Sequence, residues 1–295
     1  VELENRKIAF IINKGSGNVF KRVQKIQLKD YILRHTDYPV FEPENAEESA
    51  GITRELVDKN YDAVFACGGD GTLNSVSSQL VSTNTALGVI PLGSGNGFAR
   101  YHKIPLNWKE AFDLHKNHKE IFCDACIING KHFLNVAGIG FTGNVAKAFK
   151  QEKGRGFWGY VKVILKNLHR DNRNVTITSD TGESWEGSSW DIEFANGTQW
   201  GSEVYVAPHN KMDDGMIEVV AFKEFSDWVL PFFALRILLN LSTGSRYIAR
   251  VKGQKVTVEY NDILPIQIDG DFAGKAKEKV VVECIPRCIK VWVPN

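Results

Sequence analysis

Three stretches set glycines beside acidic or hydrogen-bonding side chains: NKGSGN at residues 13–18, CGGDGTLN at 67–74 and PLGSGNGFAR at 91–100. Each follows a short apolar run and opens a segment with helical spacing. Gly68, Gly69 and Gly71 lack a Cβ and reach positive φ at no steric cost, so the backbone can close on an anion and aim N–H groups at it. A helix starting near Leu73, with Thr72 as its cap, adds the partial positive charge of its N-terminus. The pattern predicts phosphate binding. Asp70, inside the same loop, would repel a phosphate unless a metal ion or a substrate hydroxyl stood between them, so it points to chemistry beyond anion binding. A tight turn with a helix cap is the plainer reading of any one such loop. Three in succession, at what would be the carboxyl ends of parallel strands, favour a ligand rim. No G-x-x-x-x-G-K-[ST] loop occurs at these junctions, and GSGNGF lacks the last glycine of a dinucleotide fingerprint.

The elements that must hold these loops can be read from the apolar periodicity. Residues 1–122 alternate strand-like runs (KIAFIIN, DAVFACGG, ALGVIPLG) with helical stretches, the rhythm of a parallel sheet with crossover helices. From residue 123 strand-like runs follow one another, from IFCDACII to VVVECI, punctuated by Asn-Gly at 129–130 and 196–197 and Asp-Gly at 214–215 and 269–270. Asn-Gly between strands predicts a hairpin. Two helical segments, GYVKVILKNL and WVLPFFALRILLNL, interrupt this region. The expected architecture is α/β plus β: an N-terminal three-layer α/β domain over 1–122, to which residues 280–295 return, and a mainly antiparallel β-sandwich over 123–279.

With 36 Lys and Arg against 35 Asp and Glu in 295 residues, the chain carries no global positive field, and a nucleic-acid partner is not expected. Five cysteines and the lack of an apolar leader fit a reducing, cytoplasmic setting. Cys123/Cys126 and Cys284/Cys288 sit in strand-like runs, where a spacing of three sends side chains to opposite faces of a sheet, and buried thiols suit them better than a zinc site. The segment from Trp228 to Leu241 is too short to cross a bilayer and reads either as a helix covering the sheet or as one docking on a membrane surface. Trp158 and Tyr160, near Lys153 and Arg155, read as a solvated face or a headgroup contact.

GGDGTLN followed about twenty residues later by PLGSGNGFAR resembles the diacylglycerol kinase catalytic domain family, which includes bacterial lipid kinases, sphingosine kinases and ceramide kinases. The likeness continues through CDACIINGKHFLNVAGIGFTGNV, FANGTQWGSEVYVAPHNKMDDGMIEVV and QIDGD. GGDGT also occurs in NAD kinases; the later stretches favour the lipid-kinase branch. The resemblance implies an NAD-kinase-like nucleotide fold and ATP phosphates on Gly68, Gly69, Gly71 and Thr72. Asn13, Ser16, Gly93, Ser94, Gly95 and Asn96 would complete the pocket, with Lys14 and Arg100 as phosphate clamps or solvated charges. It implies Mg²⁺ as cofactor, with Asp213 and Asp214 in a structural metal loop or a plain turn. Asp269 and Asp70 compete as base, Asp269 being preferred with Asp70 orienting metal or hydroxyl. Asp124 matches an acid that pairs with a sphingoid amine in some members. The expected partner is a lipid, diacylglycerol or sphingoid, met by peripheral contact at the inner face of the membrane; a homodimer is left open. The alternatives are a kinase of a soluble hydroxyl compound and a silent nucleotide- or lipid-binding regulator.

Overall fold

The computed structural model describes residues 6–14, 19–151, 171–241 and 244–295. The chain divides into two compact units, residues 1–123 with 287–295, and residues 124–286. The helical stretch 159–168, Trp158 and Tyr160 and their basic neighbours lie outside the described residues.

The first unit is built on a parallel sheet. β1 (Ile8–Ile12) lies between β2 (Val40–Phe41) and β3 (Ala63–Gly68), and β4 (Ala86–Pro91) pairs with β3. The final stretch of β15 (Asp271–Val293) adds a further parallel strand, with Val291 opposite Leu87. Every residue of β1, β3 and β4 is buried, as expected of strands covered on both faces. α1 (Val19–His35) follows β1 and buries Lys25, Leu28 and Ile32 at three- and four-residue spacing, and α2 (Ala46–Asp58), capped by Asn45 on the Glu48 amide, buries Ser49, Thr53 and Leu56. α3 (Asp70–Ser77) follows β3 after the single residue Gly69, and the short α4 (Gly97–Tyr101) and α5 (Trp108–Phe112) follow β4.

The second unit is antiparallel. β5 (Lys119–Ile128) enters it and turns through Asn129-Gly130, both at positive φ, into β6 (Lys131–Phe133). The two-residue turn with both φ positive is the type that Asn-Gly specifies. β7 (Val136–Gly140) leads directly into α6 (Phe141–Gln151). β8 (Arg173–Ser179), β9 (Ser184–Ala195) and β14 (Lys255–Ile268) join β7 in a closed ring of pairings: β7 with β9, β9 with β8, β8 with β14, β14 with β7. β12 (Ile217–Lys223) adds to β9 and β13 (Ile248–Gly253) to β12, while β10 (Gln199–Gly201) and β11 (Val204–Tyr205) form a separate hairpin.

Alternation along these strands sends side chains into two cores. Ile177, Ile192, Phe194, Val219, Val256 and Val258 fill one. The opposite face of β9 and β12 meets α7 (Leu230–Leu238): Val220 and Phe222 pack with Val229, Phe233 and Ile237. Covering the sheet is therefore one task of the Trp228–Leu241 segment. Its other side leaves Trp228, Phe232, Leu235, Leu239 and Leu241 more than half exposed.

Three expectations are corrected. Asn196-Gly197 is not a hairpin turn: the Asn196 and Gly197 amides donate to the Asn135 carbonyl, and a Cβ on Gly197 would stand 1.9 Å from Asn135 Oδ1. KVTVEY and LPIQID are one strand, β14, with a register shift between Glu259 and Ile263 where a turn would separate two. Thr72 does not cap α3; Gly69 is the N-cap and Thr72 is buried in the first turn, against Gly68.

Candidate functional site

In the first unit the second and third glycine loops meet backbone to backbone. A Cβ on Gly69 would lie 3.2 Å from the Gly93 Cα, and one on Gly93 would lie 2.6 Å from the Gly69 Cα and 2.4 Å from Asn96 Oδ1. Only two residues without side chains allow the loops to cross here. Gly68 is held for a related reason, since a Cβ there would strike Thr72 Oγ1 at 2.3 Å. Leu92 donates its amide to the Gly68 carbonyl at 2.8 Å, closing the crossing.

Asp70 opens α3 at this crossing, and its Oδ2 accepts the Asn96 amide at 3.2 Å. Asn96 sits at φ 50° and returns a bond from Nδ2 to the Gly93 carbonyl at 3.1 Å, so Gly93 to Asn96 form a tight loop around the acid. Arg100 Nε donates to the Gly95 carbonyl at 3.2 Å and braces the same loop from α4. A small pocket lined by Gly68, Gly69, Asp70, Pro91 and Asn96 marks the crossing. Gly71 is exposed on the first turn of α3.

Of the first loop, Asn13 and Lys14 at its β1 end lie among the described residues. Lys14 is half-exposed and pairs with Glu44 at 3.6 Å, while the Asn13 carbonyl accepts Lys25 Nζ. Ser16 lies outside the described residues. From α1, just beyond this loop, Lys21 Nζ donates to Ser94 Oγ at 3.0 Å. Burial lowers the Lys21 ammonium below its ordinary value, and the Asp70 carboxylate acts against that shift. Lys21 thus brings a cation to the crossing, which the sequence reading missed. The lysines at 21, 25 and 29 look alike in sequence, and only the seating of α1 selects the one that reaches Ser94.

The remaining predicted residues lie in the second unit. Asp269 occupies a two-residue turn with Gly270, at φ 49° and 90°, between Ile268 and Asp271. Its Oδ1 accepts the amides of Asn135 at 2.9 Å and Val136 at 3.1 Å, and its Oδ2 that of Leu134 at 3.2 Å. The turn is thereby tied to the start of β7.

Asp124 is fully buried, and its Oδ2 accepts the Gly215 amide at 2.7 Å while its own amide donates to the Met212 carbonyl. Through these two bonds Asp124 holds the MDDGM turn against β5. Asp213 and Asp214 are exposed, and Asp214 Oδ1 accepts the Met216 amide at 3.1 Å. Among the described residues no three His, Cys, Asp or Glu side chains group as a metal cage, and the turn offers a pair of carboxylates together with its backbone carbonyls, the oxygen donors a hard cation takes. All five cysteines are buried and stand as thiols, outside any disulfide.

The diacylglycerol kinase catalytic domain family matches residues 7–126, and the YegS C-terminal NAD kinase beta sandwich-like domain matches residues 136–293, more than half of the chain. The chain belongs to this lipid kinase family. Within the family it is 31% identical over 245 residues to a protein of Yersinia enterocolitica named a probable lipid kinase YegS-like, covering 79% of each chain. A solved diacylglycerol kinase of Bacillus anthracis shares the fold at a TM-score of 0.73 and 21% identity, covering 98% of this chain and 97% of that one. Yeast NADH kinase, solved with NADH, shares it more distantly, at a TM-score of 0.54 and 9% identity over 99% and 84% of the two chains. The α/β unit followed by an antiparallel β unit is therefore the lipid-kinase arrangement, with NAD kinase as a relative in fold.

Proposed function

We propose that the protein is an ATP-dependent lipid kinase that transfers the γ-phosphoryl group to a hydroxyl of a diacylglycerol or sphingoid-type lipid. The observation that carries this reading is the crossing of Gly69 and Gly93, which clears a patch of bare backbone at the start of α3 with Asp70 and Lys21 beside it. Phosphoryl transfer needs positioning and charge neutralisation more than covalent help, and such a patch supplies both. Backbone N–H groups of Gly68 to Gly71 and of the 93–96 loop would take the phosphate oxygens, with Lys21 as a point charge. Mg²⁺ is commonly held by one or two carboxylates together with substrate phosphates, and Asp70 fits the first part of that set. When bound it would neutralise charge on the transferring phosphoryl group.

We assign Asp269 as the base that receives the hydroxyl proton, through Oδ2, which takes one of the three amide bonds to that carboxylate. The three amides hold the side chain in one rotamer without supplying a proton to it. Transfer of label from γ-labelled ATP to a panel of vesicle-borne diacylglycerol, monoacylglycerol, ceramide and sphinganine, with NAD as a soluble acceptor, tests the reading. Label in the lipid phase is the expected result. Label on NAD alone would make the protein a kinase of soluble hydroxyls, and label in neither phase would overturn kinase activity.

We infer peripheral membrane contact through the outer side of α7. No helix among the described residues is long and apolar enough to cross a membrane. Trp228 at 72% exposed and Phe232 at 65% nevertheless stand in water on one side of a helix whose other side is packed, and moving each such side chain out of water is worth about 1.5–3 kcal/mol. The double variant F232E/L235E is expected to lose sedimentation with anionic vesicles while its melting temperature stays near that of the parent, because neither residue belongs to the packed side.

A further inference from the structure

Two acids on the α7-facing side of β9, Asp191 and Glu193, have no part in the reaction proposed above, and both are buried. β7 makes room for them: a Cβ on Gly138 would stand 2.4 Å from Glu193 Oε1, and one on Gly140 would stand 3.2 Å from Asp191 Oδ1. Thr142, on the first turn of α6, sits between the two carboxyl groups. Its amide donates to Asp191 Oδ1 at 3.0 Å, and its hydroxyl oxygen lies 3.1 Å from that same atom and 2.5 Å from Glu193 Oε1.

A hydroxyl carries one proton. It can donate to only one of the two carboxyl oxygens, so the other contact is a hydrogen bond only if that carboxyl group brings a proton of its own. Asp191 already accepts the Thr142 amide, so the assignment that satisfies every atom puts the acid proton on Glu193. Glu193 Oε1–H then donates to Thr142 Oγ1, and Thr142 Oγ1–H donates to Asp191 Oδ1. Glu193 Oε2 remains an acceptor and takes Gln267 Nε2 at 3.1 Å; Gln267 Oε1 in turn accepts the Gly270 amide at 3.0 Å. The line Asp191, Thr142, Glu193, Gln267, Gly270 ends on the turn that carries Asp269.

Among the described residues the surroundings offer the pair no compensating cation. Val220 and Phe222 face it from β12, Gln267 from β14, Trp200 from β10 and Thr142 from α6. Arg173, from β8, lines a small pocket beside Asp191 but bonds to Asp171 and Asp262. Burial and the neighbouring Asp191 hold the Glu193 carboxyl well above its ordinary value, and burial raises Asp191 to about 7 against the bonds from Thr142. The direction of the Glu193 shift agrees with the proton that the hydrogen-bond count places there.

We propose that Glu193, in its protonated form, is a positioning residue for Asp269, fixing the 269–270 turn through Gln267. This rests on the assignment of Asp269 as base. The experiment uses the full chain and the acceptor identified by label transfer, with Glu193→Gln, Glu193→Leu and Gln267→Leu compared over about pH 5 to 9. A glutamine preserves both links, its amide nitrogen donating to Thr142 and its oxygen accepting from Gln267. A carboxyl raised in the folded state keeps a proton that the unfolded chain releases above about pH 4.3, so the parent loses stability as pH rises from there toward the folded value.

The expected result is that Glu193→Gln retains kcat and shows a flatter decline of melting temperature with pH. Glu193→Leu and Gln267→Leu should lower kcat by up to about 10²-fold, the scale of a slight misplacement of a reacting group, with KM nearly unchanged. The inference is overturned if Glu193→Gln loses as much kcat as Glu193→Leu, or if both leucine variants keep parental kcat while Asp269→Asn abolishes it. Parental kcat in Asp269→Asn overturns the base assignment instead, and with it the positioning role of Glu193; a flattened melting profile in Glu193→Gln would then still support the buried proton.

Discussion

Replacing Asp269 with asparagine is expected to lower kcat by about 10²–10⁴-fold, the range that a positioned general base contributes. Asparagine keeps the size of the side chain and one acceptor oxygen, which can stay on the amides of Asn135 and Val136. Its NH₂ group would then face the Leu134 amide, donor to donor, at a cost of about 1–3 kcal/mol. Some loss of melting temperature therefore accompanies the variant, and kcat is to be measured well below the transition. Nucleotide affinity should be unchanged, because the glycine crossing belongs to the other compact unit. If Asp269→Asn turns over at the parental rate while Asp70→Asn does not, the base is Asp70 and the three amides around Asp269 are a structural tie.

A methyl group at Gly93 should do more damage than its size suggests. The atom it would meet at 2.6 Å is the Gly69 Cα, backbone that has no rotamer to change, so the two loops must part. A displacement of about 1 Å at a phosphate site costs about 10²-fold, and Gly93→Ala is expected to lose at least that in kcat/KM for ATP. Titration with a non-hydrolysable ATP analogue should show the loss in binding, with the melting transition still cooperative. Gly51→Ala is the control: a Cβ there meets nothing within 4 Å, and on α2 alanine should hold or raise stability by about 0.5–1 kcal/mol. Equal binding by Gly93→Ala and Gly51→Ala would remove the main support for a nucleotide at this crossing.

Much of the first unit could be read from residues alone. Continuous apolar runs ending in glycine identify β3 and β4 and their loops, because a strand buried on both faces leaves no polar alternation to confuse the reading. GGDGT misled at one point. Thr72 has the side chain of a cap, but the helix begins at Asp70, and the threonine faces Gly68 instead. The second unit was legible at Asn129-Gly130 and Asp269-Gly270, where two consecutive positive φ values select those residues.

The acid pair was not legible. In WDIEFANG, Asp191 and Glu193 alternate with Ile192 and Phe194, which is the pattern of a strand with one wet face. The polar positions are nevertheless covered, by α6 and the α7 cluster, and the glycines that admit them belong to another strand, β7. No local rule connects Gly138 to Glu193, more than fifty residues away. α6 was not read either: it follows the strand-like run KHFLNVAG, and its first turn donates the Thr142 amide to Asp191, an acceptor 49 residues further along the chain.

β15 carries a consequence for anyone dividing this protein into parts. Its 23 residues begin in the β unit and finish as the strand that flanks β4, with Trp292 stacked on His118. An amino-terminal fragment cut after Cys123 would keep the glycine crossing yet display an open parallel edge, a ready site for self-association. A peptide spanning 287–295, supplied in trans, should cap that edge and restore solubility.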